Sequence, residues 1–183
     1  MCSLRHRPAM HFPPCGIVPT RGWARWLAPM CFLSTDTTRI FTIYRAFFTR
    51  YFCRLHTIDD KPDSILSLCQ LFEQLVHAMI PETVFHMLQL GCPPLHFAFH
   101  WMVNMFVEYL PVKEVLLLWD RVLGFDSLEL LPLLAAAIFV FRKADLCAAQ
   151  SMNEVEALLE EFAGLKVVPL LQQVLFVTPL VGS

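Results

Sequence analysis

The uncharged run Leu130–Phe141 sets the strongest limit on what this chain can fold into. Its twelve residues lie between Glu129 and Arg142, whereas a helix that crosses a bilayer needs about 20 apolar residues. The run is therefore predicted to be a helix buried in a protein core. A second uncharged stretch, 95–107, contains two histidines and an asparagine, which are costly in lipid. No transmembrane segment is predicted.

The composition indicates one domain with an excess of apolar surface. Apolar residues make up 56% and charged residues 16% of the 183 residues, against about 45–50% and about 25% in typical globular proteins. This length suits a single domain with a real core. We expect part of its apolar surface to face a partner, a membrane or another piece of the same fold.

The charge and the cysteines exclude further classes of protein. A net charge of -2 gives no overall field to hold nucleic acid, which is bound by clustered Lys and Arg. The seven cysteines are odd in number and lack framework spacing, which favours reduced thiols in a cytoplasmic protein. No Asn-x-Ser/Thr glycosylation acceptor occurs.

Apolar periodicity and helix punctuation predict an all-α fold of about seven to eight helices. Pairs at capping-box spacing are Asp126 with Glu129 and Ser151 with Glu154, and Pro132 is placed in the first turn of its helix. The predicted helices are 38–56 (stopped by Pro62), one capped by Asp63 or Ser64, one opened by Pro81 and closed by Gly91, 95–109, one from Pro111 to Gly124, 128–147, one between Ser151 and Gly164, and 166–177.

The stretch 94–142 carries a recognisable signature. It reads PLHFAFHWMVNMFVEYLPVKEVLLLWDRVLGFDSLELLPLLAAAIFVFR, and it resembles the latter half of a TBC domain, with a Trp- and Phe-bearing helix, then "LP", a "VL" step, a Trp-Asp pair and an apolar helix. The residues that carry this resemblance are Trp101, Phe106, Leu110, Pro111, Val115, Leu116, Trp119 and Asp120. The resemblance runs from about Gly22 to the segment KVVPLLQQVLF near the end. LLLWDRVLGFDSLELL and KVVPLLQ most resemble the subgroup called TBC-domain family member 19.

The resemblance implies domain boundaries and a set of structural residues. The chain divides into an irregular Pro/Arg-rich leader at 1–18, a partial TBC domain at 19–178 and a tail at 179–183. The leader is basic and acid-poor like a mitochondrial presequence, but its prolines would break the amphipathic helix that a presequence needs. The family signature residues Trp101, Phe106, Pro111, Trp119 and Asp120 are expected to be structural, with Trp119 packed and Asp120 anchoring a helix end or an arginine such as Arg121.

The resemblance also implies a mechanism. TBC domains stimulate GTP hydrolysis on Rab GTPases by supplying an arginine from an Ile-x-x-Asp-x-x-Arg motif and a glutamine from a Tyr-x-Gln-Gly motif. The guanidinium stabilises charge that spreads over the γ-phosphoryl oxygens, and the amide orients the attacking water. The first motif does not occur in the sequence, and the chain starts too late to contain it. At the second, the sequence has Pro19, Thr20, Arg21 and Gly22, so Arg21 occupies the glutamine position.

Two interpretations of Arg21 compete. Its guanidinium could reach the γ-phosphate and partly replace the missing finger, or it could be a solvated loop cation left after the catalytic pair was lost. We favour the second, because an arginine cannot orient water as an amide does and the two fingers act as a unit. No intact catalytic residue is predicted, and Arg21 is the candidate to test.

Other arrangements of reactive residues carry weaker signals. His96 and His100 are four residues apart, as in a zincin, but Phe97 stands where the general base would be and no third ligand has suitable spacing. Packing at a helix interface is the favoured role of both histidines. Cys53 near His56 lacks a group to orient the histidine. No metal and no cofactor is predicted. The arginine-rich aromatic segment 44–54 could lie on an acidic membrane surface, although burial of its rings is favoured.

The sequence supports two functions from different classes. The first is a truncated Rab GTPase-activating protein family member that binds or regulates a GTP-loaded Rab-type small GTPase with little or no catalysis of its own. The second is a helical scaffold that self-associates through exposed apolar surface. Either would be cytoplasmic, and the first could lie at the periphery of endomembranes through its Rab partner.

Overall fold

The structure, a computed structural model, describes residues 23–58 and 64–176. These ranges contain no β-strand, and the predicted all-α class is confirmed. The elements in chain order are a 3-10 turn at Trp23–Trp26, α1 Leu27–Met30, α2 Thr37–Phe47, a π-helical turn at Phe48–Phe52, α3 Cys53–Leu55, α4 Ile65–Met79, α5 Pro81–Gln89, α6 Pro94–Val103, α7 Val112–Phe125, α8 Leu130–Phe141, α9 Lys143–Ala148, α10 Met152–Glu160 and α11 Val167–Leu175.

Eight helices in the described ranges have nine residues or more, in line with the predicted seven to eight. α1 and α9 are short additions, and α3 continues α2 through the π turn. The predicted leader at 1–18, the tail at 179–183, Pro62 and the candidate cap Asp63 lie outside the described residues.

Helix α8 forms the centre of the core, as its apolar run predicts. Nine of its residues are buried, and helices α4, α6 and α11 pack around it. The Phe139 ring lies 5.5 Å from Phe72 of α4 and 5.6 Å from Trp101 of α6, measured between centroids. Within the described ranges, no helix combines the length and the apolar character that crossing a bilayer requires.

Local capping signals place several helix starts correctly. The Ser64 hydroxyl accepts a hydrogen bond from the backbone N–H of Ser67 at 3.3 Å. At the start of α10, the Ser151 hydroxyl accepts from the N–H of Glu154 at 3.4 Å, and the Glu154 carboxylate accepts from the N–H of Gln150 at 2.8 Å. This second pair is a capping box whose return bond falls one residue earlier than the standard pattern.

The predicted helix 95–109 is too long by six residues. Helix α6 ends at Val103, where the Phe106 N–H donates to the Trp101 carbonyl at 2.8 Å and Met105 has a φ of 48°. A left-handed residue with a hydrogen bond spanning five residues is a Schellman-type helix stop. The chain then crosses to α7 through a loop that apolar periodicity cannot distinguish from helix.

The predicted capping box of Asp126 with Glu129 is wrong. Helix α7 continues through Gly124, and Asp126 is its C-cap with a φ of 50°. Its carboxylate binds Arg50 and Tyr51, while the Ser127 hydroxyl accepts from the Glu129 N–H at 3.1 Å. The predicted helix 128–147 also breaks, because the buried Arg142 ends α8 and donates from its guanidinium to the Glu161 carbonyl.

Trp119 of α7 is the point at which separate parts of the fold meet. Its side chain is buried, and its ring lies 5.5 Å from Phe47 and 5.4 Å from Phe52, measured between centroids. Its indole N–H donates to the Met105 carbonyl at 3.3 Å. One side chain thus joins α7 to the α2 segment and to the loop after α6.

We expect Trp119→Ala to lower the free energy of unfolding by about 3–5 kcal/mol, because it leaves a cavity in a packed aromatic cluster. Urea unfolding followed by circular dichroism measures the change. Leu123→Ala on the same helix is the matched control, since Leu123 is 47% exposed and should cost far less. A Trp119→Ala protein as stable as the parent would contradict this role.

Candidate functional site

The candidate position Arg21 lies outside the described residues, which begin two residues later at Trp23. What the structure shows is how the chain directly after that position is held. The 3-10 turn Trp23–Trp26 and α1 form this segment. It is fixed at two places, by an aromatic stack at Trp26 and by an ion pair at Arg25.

Trp26 anchors the segment in the core. Its side chain is 1% exposed and stacks on Phe52, with ring centroids 4.5 Å apart and an interplanar angle of 26°. The His56 ring also packs against Trp26, with ring centroids 5.1 Å apart. Burial lowers the pKa of His56, so the imidazole that packs here is neutral near pH 7.

The π turn Phe48–Phe52 explains how α2 and α3 supply these rings. Phe48, Tyr51 and Phe52 are all buried, and Phe52 contacts both Trp26 and Trp119. A π turn adds a residue to one helical turn and shifts the side chains that follow it. The inserted residue therefore lets one helix present rings to the α1 segment and to α7.

Arg25 ties the same segment to the loop between α6 and α7. Its Nη1 lies 2.8 Å from Glu108 Oε2 and 3.5 Å from Asn104 Oδ1. Met105, Phe106 and Glu108 of this loop have φ values of 48°, 60° and 76°. Left-handed backbone at non-glycine residues costs free energy and clusters at functional sites. This backbone conformation buries Met105 and Phe106 fully and places Glu108 within hydrogen-bond distance of Arg25.

An apolar groove of about 420 Å³ runs between the α1–α2 segment and α7. Leu33 and Leu123, 55% and 47% exposed, stand at its open side. Asp120 is the one charged residue in its lining. The lining residues are Met30, Leu33, Ile43, Phe47, Leu116, Trp119, Asp120 and Leu123. The groove thus brings the end of α1 and the turn after it next to the Trp-Asp pair of the family signature.

The five signature residues occupy different positions in the fold. Trp101, Phe106 and Trp119 are buried, and Pro111 is the N-cap of α7 with a ψ of 144°. Asp120 differs, because its side chain is exposed and makes no hydrogen bond or ion pair with any described residue. The anchoring expected of it is absent there.

The neighbouring Arg121 makes a hydrogen bond elsewhere. Arg121 Nη1 donates to the Leu117 carbonyl on its own helix at 2.6 Å. Its guanidinium is therefore committed to the backbone of α7, and the Asp120 carboxylate is left at the groove rim.

The structure shows where the weaker candidates from the sequence lie. His96 and His100 have ring centroids 6.1 Å apart, and both are exposed rather than packed at a helix interface as expected. The described ranges hold no group of three or more His, Cys, Asp or Glu arranged for a metal. The Cys53 thiol donates to the Thr49 carbonyl at 3.1 Å, while His56 packs on Trp26.

A second polar cluster joins the α2 segment to the end of α7. Arg50 Nη2 and Nε lie 2.7 Å and 3.0 Å from the two Asp126 oxygens, and the Tyr51 hydroxyl donates to Asp126 at 2.8 Å. The hydrogen bond from Arg50, and then that from Tyr51, lowers the pKa of Asp126 to about 2. Burial raises the pKa of Tyr51. Sequence reasoning missed both this cluster and the Arg25–Glu108 pair, since their partners are 76 and 83 residues apart.

The lowered pKa of Asp126 predicts a pH-dependent loss of stability. A carboxylate with a depressed pKa in the folded state stabilises the fold above about pH 4, and this contribution disappears as the pH falls toward 2. Asp126→Asn should therefore lower the melting temperature at pH 7, and its difference from the parent should shrink between about pH 4 and 2.

Thermal unfolding at pH 7, 4 and 2 tests this expectation. Asparagine tolerates the left-handed backbone of this position, so the substitution removes the charge without adding strain. Asp145→Asn, on the exposed side of α9, is the matched control. A difference between Asp126→Asn and the parent that stays constant across the three pH values would contradict the assignment.

Comparisons with known proteins bear on the identity of the fold. The sequence model of the Rab-GTPase-TBC domain family matches residues 10–147. Human TBC1 domain family member 19 is 44% identical over 170 residues, which are 93% of this chain and 32% of that protein. The chain thus spans about a third of the length of this relative. No solved structure matches significantly. The expected resemblance to the family and to its member-19 subgroup is confirmed, and the chain belongs to the Rab-GTPase-TBC domain family.

Proposed function

We propose that this chain is a TBC module that binds a GTP-loaded Rab-type GTPase and has little or no GTPase-activating activity of its own. Family membership supports a Rab-type partner. The sequence supports the lack of catalysis, because it contains no Ile-x-x-Asp-x-x-Arg motif and has Arg21 at the glutamine position. The chain is thus proposed to bind a GTPase without accelerating GTP hydrolysis.

The chemistry explains why one arginine does not restore activity. Hydrolysis needs a guanidinium to neutralise transition-state charge and a group that orients the attacking water. Removing one member of such a unit costs about as much as removing several. Arg21 supplies a positive charge in the place of the water-orienting amide, so the activator has no means of positioning the nucleophile.

The apolar groove between α1, α2 and α7 is the observation that carries the binding proposal. Exposed apolar residues in a groove mark interaction sites more often than ordinary surface. The groove is preformed, since Trp119 and Phe47 in its wall are buried in the aromatic cluster. A single carboxylate, Asp120, at an apolar rim would pair with one basic residue of the partner and fix its orientation. The location that follows is cytoplasmic, at membranes that carry the Rab.

A helical scaffold that self-associates is the second candidate. Phe85, Leu88 and Phe99 are 63%, 50% and 39% exposed along α5 and α6. Two neighbouring grooves beside them share Glu73, Pro93 and Leu95 in their linings. This surface lies on elements other than those of the first groove, so the two candidate functions can be separated by mutation.

Nucleotide-dependent binding tests the first candidate. We expect the chain to bind at least one member of a panel of Rab proteins when it is loaded with a non-hydrolysable GTP analogue, and to bind it more weakly with GDP. Leu123→Glu, which puts a charge into the groove, should abolish this binding. Isothermal titration calorimetry measures both.

Phe125→Glu is the matched control for the groove. Phe125 is 71% exposed on the same helix and is absent from the groove lining, so this variant should bind like the parent. Binding that ignores the nucleotide, or that both variants weaken equally, would contradict the proposal. A molecular mass that rises with protein concentration, together with no binding to any Rab protein, would favour the self-associating scaffold.

A further inference from the structure

The apolar groove between α1, α2 and α7 has charges of opposite sign on its two sides. Asp120 belongs to the α7 side of the lining, and its side chain is exposed. On the α2 side, Arg39 precedes the lining residue Ile43 by four positions. Side chains four residues apart on a helix are neighbours, with Cβ atoms about 5–6 Å apart. The groove therefore lies between one cation and one anion.

Neither charge has a strong partner inside the fold. Arg39 Nε lies 3.9 Å from Asp36 Oδ2, and these side chains are 78% and 55% exposed, so this ion pair contributes little. The Asp120 carboxylate makes no hydrogen bond or ion pair in the part of the chain that the structure describes. Both groups are thus available to an external group of opposite charge.

Large apolar side chains project around the same groove. Phe32, in the turn between α1 and α2, is 74% exposed, and it directly precedes Leu33 at the open side of the groove. The groove has a volume of about 420 Å³, within the range of about 300–1,000 Å³ that accepts small ligands, so it has room for one aromatic side chain. This surface therefore offers both an exposed ring and a space that fits a ring.

We propose that two copies of this chain dock on each other through this surface. In a two-fold contact each residue pair occurs twice, because residue i of one copy meets residue j of the other and the reverse. Phe32 of each copy enters the groove of the other, and Arg39 of each copy faces Asp120 of the other. Leu33 and Leu123 become buried where the two open sides meet.

A second copy suits this surface because the surface already holds both members of each contact. It has the cation and the anion, and it has the ring and the groove. Aromatic residues and arginine are enriched in protein interfaces, and complementary charges at a rim fix the register of the partners more than they add affinity. A different partner would have to supply a cation for Asp120 and a separate anion for Arg39.

The same groove is the proposed binding site for a Rab-type GTPase, so the two occupants would exclude each other. The inference rests on the proposed function for this competition alone, because docking between copies is measured without any GTPase. Self-association by a chain that binds no Rab protein would contradict the proposed function and leave this inference standing. A chain that binds a Rab protein but stays monomeric would do the reverse.

Sedimentation equilibrium of the full chain over a range of concentrations tests the proposal. We expect a monomer–dimer equilibrium. Phe32→Ser removes the ring, whereas Arg39→Asp and Asp120→Arg each place like charges opposite each other. Each of the three changes should weaken dimerisation by at least about tenfold. An aspartate is favourable in the first turn of a helix, so Arg39→Asp should preserve α2, and circular dichroism checks that each variant keeps the parent's fold.

Mixing the Arg39→Asp and Asp120→Arg variants should restore dimers, because only a heterodimer then pairs opposite charges at both rims. Native mass spectrometry distinguishes this heterodimer by its mass. Arg45→Asp is the matched control, since Arg45 is exposed and lies about 160° from Ile43 around α2. It should dimerise like the parent and should not rescue Asp120→Arg. A monomeric parent, a dimer that none of the three changes weakens, or a mixture that forms no heterodimer would overturn the proposal.

Discussion

The burial of Trp119 is the interaction on which the rest of this structure depends. Its ring contacts Phe47 and Phe52, and its indole N–H donates a hydrogen bond to the Met105 carbonyl. Phe52 in turn stacks on Trp26. The turn after the Arg21 position, the α2 segment, the α6–α7 loop and α7 are therefore one packed unit. The groove takes its shape from this unit, since Trp119 lies in its wall.

Signals within one helical turn predicted where helices start. Features that depend on residues far apart in the sequence were not predicted. Ser64, Pro81 and Ser151 act within one helical turn, so the sequence places their helix starts. Asp126 has the same local pattern, but Arg50, 76 residues away, takes its carboxylate. The end of α6 is likewise set by a helix stop that periodicity does not reveal.

The candidate site divides in the same way. A motif comparison pointed to Arg21, and the spacing of the family signature pointed to Trp119 and Asp120. The groove could not be predicted, because its lining comes from α1, the turn after it, α2 and α7. The sequence suggested an anchoring role for Asp120. Its exposure at the groove follows from how α1, α2 and α7 pack, which the sequence does not reveal.

Single-turnover GTP hydrolysis by Rab proteins most directly tests the claim that this chain binds a Rab protein without accelerating hydrolysis. The parent chain and its Arg21→Ala and Arg21→Gln variants should each be added to a GTP-loaded Rab that the chain binds. We expect no acceleration by the parent or by Arg21→Ala, since neither supplies a water-orienting group together with an arginine finger. Acceleration by the parent that Arg21→Ala abolishes would make Arg21 a working finger and contradict the assignment of this chain to binding without catalysis.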